Sequence, residues 1–140
     1  MQLQRVLLSL VALTSAGVAC ANDGWLYYGG DQGGRHYSTA SQIDRENVSD
    51  LEVAWIHRSG DVGTYGEEME NTSTQATPIL LPQSAGESLV YCTPFNRVIA
   101  LDPGSGEQRW DFDPDIDRRG TRTFRCRGVS YAEEPRVAAN

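Results

Sequence analysis

The chain has 140 residues, 39% of them hydrophobic, with 14 Gly and 6 Pro, which suits one β-rich domain with a single core. Its 12 basic residues are all Arg and face 19 acids, for a formal charge of −7. That balance argues against a nucleic-acid or anionic-membrane partner, since both need a cationic face.

Residues 1–21 read as a secretory signal: one positive charge at Arg5, an apolar run over 6–13, then small residues leading to Ala19-Cys20-Ala21, an A-x-A cleavage site. The run is too short to span a bilayer. Cleavage after Ala21 starts the mature chain at Asn22; the competing reading cuts before Cys20 and lipidates its sulfur, although Gly17 stands where a lipoprotein signal normally has Leu. Either route leads to the periplasm or cell envelope, where disulfides form. Cys92 and Cys126 then remain, and their spacing leaves open whether they pair. The absence of any C-x-x-C pair removes support for a zinc or thioredoxin-like site.

Residues 22–58 form a lead-in segment, Gly-rich and aromatic at first (Trp25, Tyr27, Tyr28, Tyr37), a mixture that predicts ordered loops because the rings have something to bury. A single helical turn capped by Asp44 is expected over 44–48. Over 51–56 the alternation puts Leu51, Val53 and Trp55 on one face of a predicted outer strand. Residues 59–75 lack periodicity and read as a loop, with Glu67, Glu68 and Glu70 as solvated surface.

The chain becomes regular at 76–113. Four strand-like runs, 76–81, 88–93, 97–101 and 107–112, alternate with turn chemistry at 82–87, 94–96 and 102–106. Four strands in about forty residues is the size of one propeller blade. The last corner carries Asp102, able to accept turn amides, and Trp110, expected to return over the same corner. Asp111, Asp113, Asp115 and Asp117 fail the EF-hand pattern, which needs Gly where Ile116 stands and Glu where Arg122 stands. They predict one wet face opposite Trp110 and Phe112, ended by Pro114. Residues 114–140 form a loop carrying Cys126-Arg127-Gly128-Val129.

The pattern A-x-D-x-x-S-G-x-x-x-W over 100–110 resembles the tryptophan-docking corner of quinoprotein propellers, the eight-bladed β-propellers of pyrroloquinoline quinone (PQQ) dehydrogenases. Trp25-Leu26-Tyr27-Tyr28-Gly29-Gly30-Asp31, Gln42-Ile43, Asn47-Val48, Ala54-Trp55, Thr77-Pro78-Ile79, Tyr91-Cys92-Thr93-Pro94 and Cys126-Arg127-Gly128-Val129-Ser130-Tyr131 are similar, in order and spacing, to the amino-terminal part of the glucose-dehydrogenase-like branch. The resemblance implies an all-β fold, namely the lead-in and first blade of an eight-bladed propeller that this chain leaves incomplete. It implies periplasmic oxidation of a sugar or alcohol hydroxyl, with PQQ as cofactor, Ca²⁺ held by residues of later blades, and a quinone or cytochrome as electron acceptor. A fragment of this kind is expected to be inactive by itself and to need the missing remainder of the propeller as partner.

Two positions are implied to touch the cofactor. Arg127 matches the Arg that the family aims at the quinone end; the competing role is a surface pair with Glu133 or Glu134. Gln75 stands where the family usually carries Glu, and an amide can still hydrogen-bond a ligand but brings no charge. No catalytic or metal-ligating residue is assigned in this chain. Only Cys126 precedes Arg127, without the adjacent Cys pair of the alcohol branch, and Thr123 stands where some glucose dehydrogenases have His. His36 and His57 are read as surface or packing residues. The alternative function is a non-catalytic envelope scaffold lipoprotein built of the same repeats, which would bind partners through strand edges.

Overall fold

The computed structural model describes residues 24–121 and 123–133. The signal segment 1–21 with Cys20, and Glu134, lie outside the described residues. Strands β1 (Ile79–Leu80), β2 (Leu89–Cys92), β3 (Val98–Leu101) and β4 (Gln108–Phe112) form one antiparallel sheet in the order β1-β2-β3-β4. Each lies inside a run predicted from sequence, trimmed at its ends.

Short-range chemistry sets the three turns. Between β1 and β2 a 3-10 turn, Gln83–Ala85, ends on Gly86 at φ 86°, a left-handed conformation that costs Gly little. Between β2 and β3, Asn96 takes φ 62°, and the Thr93 amide closes onto the Arg97 carbonyl at 2.8 Å. Between β3 and β4, Asp102 Oδ1 accepts the amides of Gly104 and Ser105 at 2.9 and 2.8 Å. Arg109 links that corner to the first turn: its Nη2 donates to Asp102 Oδ2 at 2.6 Å, and its Nη1 to the Gly86 carbonyl and, at 2.9 Å, to Ser88 Oγ.

The sheet buries residues on both faces. Ile79, Val90 and Ala100 are cross-strand partners and make one core, capped by Leu81, Val98, Val129 and Tyr131. On the opposite face, buried Leu101 and partly buried Leu89 and Tyr91 lie beside Trp55 and His57. Full burial of an Ile such as Ile99 contributes roughly 2 kcal/mol.

Four expectations are corrected. Residues 51–56 pair with no strand among the described residues, and Val53 is 77% exposed; period-two patterning without a hydrogen-bonding neighbour does not make a ladder. The one anchored side chain of that segment is Trp55. Its indole lies over the β3–β4 corner so closely that a Cβ on Gly106 would meet the ring at 2.5 Å, and Trp55 Nε1 donates to the Pro103 carbonyl at 3.1 Å. Trp55, rather than Trp110, therefore covers the corner.

Trp110 and Phe112 are 45% and 59% exposed, and every residue of β4 is exposed, because β4 is an edge of the sheet and no described strand pairs with its outer side. The expected division into a wet and a dry side of β4 is thus missing, and Asp111 is engaged rather than merely solvated, accepting from Arg97 Nη2 at 2.9 Å. Finally, 59–75 is not a plain loop. A short helix α1 (Asp61–Tyr65) runs into a 3-10 turn, Gly66–Asn71, held by tertiary contacts that outweigh its poor helical pattern. Asp61, 2% exposed, meets Arg97 Nη1 at 2.8 Å, and Tyr65 stacks on Phe95 at 3.9 Å between ring centres.

The Asp44 turn forms as expected. Its Oδ1 accepts the amides of Glu46 and Asn47 at 2.8 and 3.1 Å, and the chain continues into a 3-10 turn, Val48–Asp50.

Gly106→Ala should cost about 2–3 kcal/mol, through φ +73° and collision with Trp55; combined with Trp55→Ala the Gly106 cost should fall to about 1 kcal/mol, measured by a double-mutant cycle in urea. Hydrogen bonds from Arg109 and from the turn amides lower the Asp102 pKa from 3.8 to about 2. Because folding lowers that pKa, the stability it contributes is fully present above pH 3.8 and is lost as pH falls through about 2. Asp102→Asn should flatten that part of the acid-denaturation curve.

Candidate functional site

Residues 123–131 run as a strap along the sheet, and four contacts hold it. Phe124 is buried against Phe95 at 5.0 Å between ring centres, in the same stack as Tyr65. Cys126 forms a disulfide with Cys92 at the end of β2, with Cα atoms 6.0 Å apart, which answers the pairing question that the spacing left open. Gly128 makes a parallel bridge with Thr77. Val129 and Tyr131 pack on the core of Ile79, Val90 and Ala100. Burial raises the Tyr131 hydroxyl pKa, and the Glu133 carboxylate, accepting from it at 3.0 Å, adds to the rise.

The Thr77–Gly128 bridge has a direct consequence for the two sequence-predicted site residues. Gln75 lies two residues before one partner and Arg127 one residue before the other, so the bridge carries both to the same place. They line one open cleft of about 770 Å³, together with Tyr27, Tyr28, Asp31 and Gln32 of the lead-in segment. Gln75 Nε2 donates to Ser73 Oγ at 3.1 Å, and Gln32 Nε2 to the Tyr27 hydroxyl at 3.1 Å. Asp31 pairs with Arg35, whose hydrogen bonds hold the carboxyl below its ordinary pKa.

Arg127 is exposed and makes no ion pair among the described residues. Glu133, its nearer alternative partner, accepts instead from Tyr131 and, at 3.5 Å, from Ser84. The cleft therefore presents a planar cation, an amide and phenol rings, a donor set suited to a flat anionic ligand. Its volume falls within the range usual for small-molecule sites, about 300–1,000 Å³.

Sequence reasoning missed the lead-in wall of Tyr27, Tyr28 and Gln32. Its signal was the aromatic, Gly-rich composition of that loop, but nothing local said which cleft the loop would face. A larger opening of about 1030 Å³ lies across Phe124, yet its Arg118 and Arg119 are already paired, to Glu68 at 3.0 Å and Asp117 at 2.8 Å. The two histidines pack edge-on against tyrosines, His36 on Tyr28 at 5.3 Å and His57 on Tyr91 at 6.2 Å. Among the described residues no three His, Cys, Asp or Glu side chains converge as a metal site would require.

A family model described as the β-propeller domain of glucose, ethanol and alcohol dehydrogenases that use PQQ matches residues 25–140. The chain is 39% identical over 112 residues to quinoprotein glucose dehydrogenase A of Acinetobacter calcoaceticus, covering 79% of this chain and 13% of that protein. It is 38% identical over 114 residues to the quinoprotein glucose dehydrogenase of Escherichia coli (81% and 14%). It is 36% identical over 107 residues to the quinate/shikimate dehydrogenase (quinone) of Acinetobacter baylyi (76% and 12%). The chain thus spans about one-eighth of the length of these curated relatives.

Phe124→Ala, which empties the stack at the start of the strap, should cost about 3 kcal/mol in chemical denaturation, and Phe124→Leu less than half of that.

Proposed function

This chain belongs to the PQQ-dependent dehydrogenase family, glucose-dehydrogenase-like, and from that premise we propose that it is the lead-in and first blade of an eight-bladed periplasmic propeller that oxidises a sugar or alcohol hydroxyl. The observation that carries the reading is the convergence of Gln75 and Arg127 in one cleft. PQQ, when bound, supplies an ortho-quinone that accepts a hydride equivalent from the substrate carbon. The part of this chain is to bind and orient. Arg127 offers parallel N–H donors to a carboxylate or quinone oxygen, and Gln75 offers an amide. Tyr27 and Tyr28 wall the cleft on the lead-in side.

With Gln75 in place of the family's Glu, the Arg127 charge is not offset from that position, which favours an anionic ligand group beside it. Among the described residues no side chains converge as a calcium site would require, so calcium, if it serves the reaction, takes its ligands from other blades. A quinone is the electron acceptor proposed, by analogy with the quinone-linked quinate/shikimate relative, with a cytochrome as the other candidate.

The cleft is open and β4 presents Trp110 and Phe112 to solvent, so the reading also requires a further sheet to complete the site. By itself the chain should neither bind PQQ nor oxidise glucose; PQQ binding measured by fluorescence titration of the chain alone would refute this part. Residues 25–131 can also be exchanged for the matching stretch of the Escherichia coli quinoprotein glucose dehydrogenase. In that chimera Arg127→Gln should weaken PQQ binding roughly ten- to a hundredfold, the loss of one charge-assisted hydrogen bond. Unchanged affinity would remove Arg127 from the site.

A further inference from the structure

We infer that the Cys92–Cys126 disulfide is a redox-sensitive positioning device for Arg127, which a dithiol can open to release the strap while the sheet stays folded. Its value for ligand binding rests on the reading of Arg127 above; its structural part does not.

The two sulfurs join unlike partners. Cys92 is 1% exposed and belongs to the β2–β3 ladder, where it pairs with Val98. Cys126 lies on the strap, is only partly buried, and is the covalent neighbour of Arg127. The ladder has supports of its own: four residue pairs between β2 and β3, and four more between β3 and β4. The strap has an isolated bridge at Gly128 and the apolar contacts of Phe124, Val129 and Tyr131. The cross-link is therefore the covalent restraint on the stretch between Phe124 and Gly128, where Arg127 sits.

Opening it is balanced by a small dithiol. One dithiol thiolate attacks a protein sulfur, the S–S bond breaks, and the second thiol closes the reagent into its own disulfide. Two electrons and two protons pass to Cys92 and Cys126. Cys126, the partly exposed sulfur, is the accessible point of attack. Segments with few backbone pairs open below the free energy of the whole fold, so the strap should yield before the ladder does.

The test is amide hydrogen exchange by mass spectrometry on the oxidised full chain, with and without dithiothreitol. Exchange over 123–131 should accelerate about tenfold or more, while 89–101 stays within about twofold. Trypsin should cut after Arg125 and Arg127 faster by a similar factor. The double variant Cys92→Ser/Cys126→Ser should show the reduced pattern whether or not the dithiol is added. Equal acceleration of strap and sheet would make the bond a general staple and overturn the inference. So would unchanged strap exchange, a dithiol response in the double variant, or peptide mapping without a Cys92–Cys126 cross-link. None of these readouts uses PQQ, so failure of the cofactor reading and failure of this inference are distinguishable.

Discussion

The β2–β3 hairpin is the constraint on which the rest depends. Both of its strands have a neighbour on each side, and its turn and the adjoining end of β2 carry three groups that collect distant parts of the chain. Phe95 gathers Tyr65 from the 61–71 segment and Phe124 from the strap into one stack. Arg97 joins Asp61 and Asp111, and also donates to the Ser59 carbonyl at 2.9 Å. Cys92 holds Cys126. Asp61 is almost wholly buried, so the ion pair with Arg97 is better regarded as specifying where the helix docks than as a large net source of stability.

The cleft follows from that arrangement. Its walls come from three stretches remote in sequence: the lead-in loop at Tyr27 to Gln32, the approach to β1 at Gln75, and the strap at Arg127. None of the three is a regular strand. The lead-in is fixed to β1 by the Trp25 bridge to Leu80, the strap to β2 by its disulfide, and the Gln75 segment by running into β1 and by the Thr77 bridge to the strap. Binding groups on irregular segments held by a rigid sheet are a common arrangement, because loops can vary their side chains without disturbing the ladder. An open cleft beside an exposed sheet end is what a wheel of packed sheets would close.

Much of the fold was legible because strands and tight turns are local. The four runs of apolar residues, Pro82, Asn96 and the Asp102 to Gly106 corner set strand positions through backbone preferences that act over four or five residues. The same reasoning failed where the deciding contact lay elsewhere. Residues 51–56 alternate like a strand but have no neighbour to pair with among the described residues, and 61–65 has poor helical patterning yet is helical because Asp61 and Tyr65 find Arg97 and Phe95. Arg127 and Gln75 were found through resemblance to the family and not by spacing, since 52 positions separate them in the chain numbering.

The sequence alone determined the acidic charge and, through short patterns whose meaning is local, the four strands with their connecting turns and the kinship with PQQ dehydrogenases. Only the tertiary structure decided that Cys92 pairs with Cys126, that Trp55 and not Trp110 caps the corner, and that Gln75, Arg127 and the lead-in tyrosines share one cleft. Those are choices between distant partners, and a linear pattern does not say which buried surface a side chain will meet once the sheet has formed.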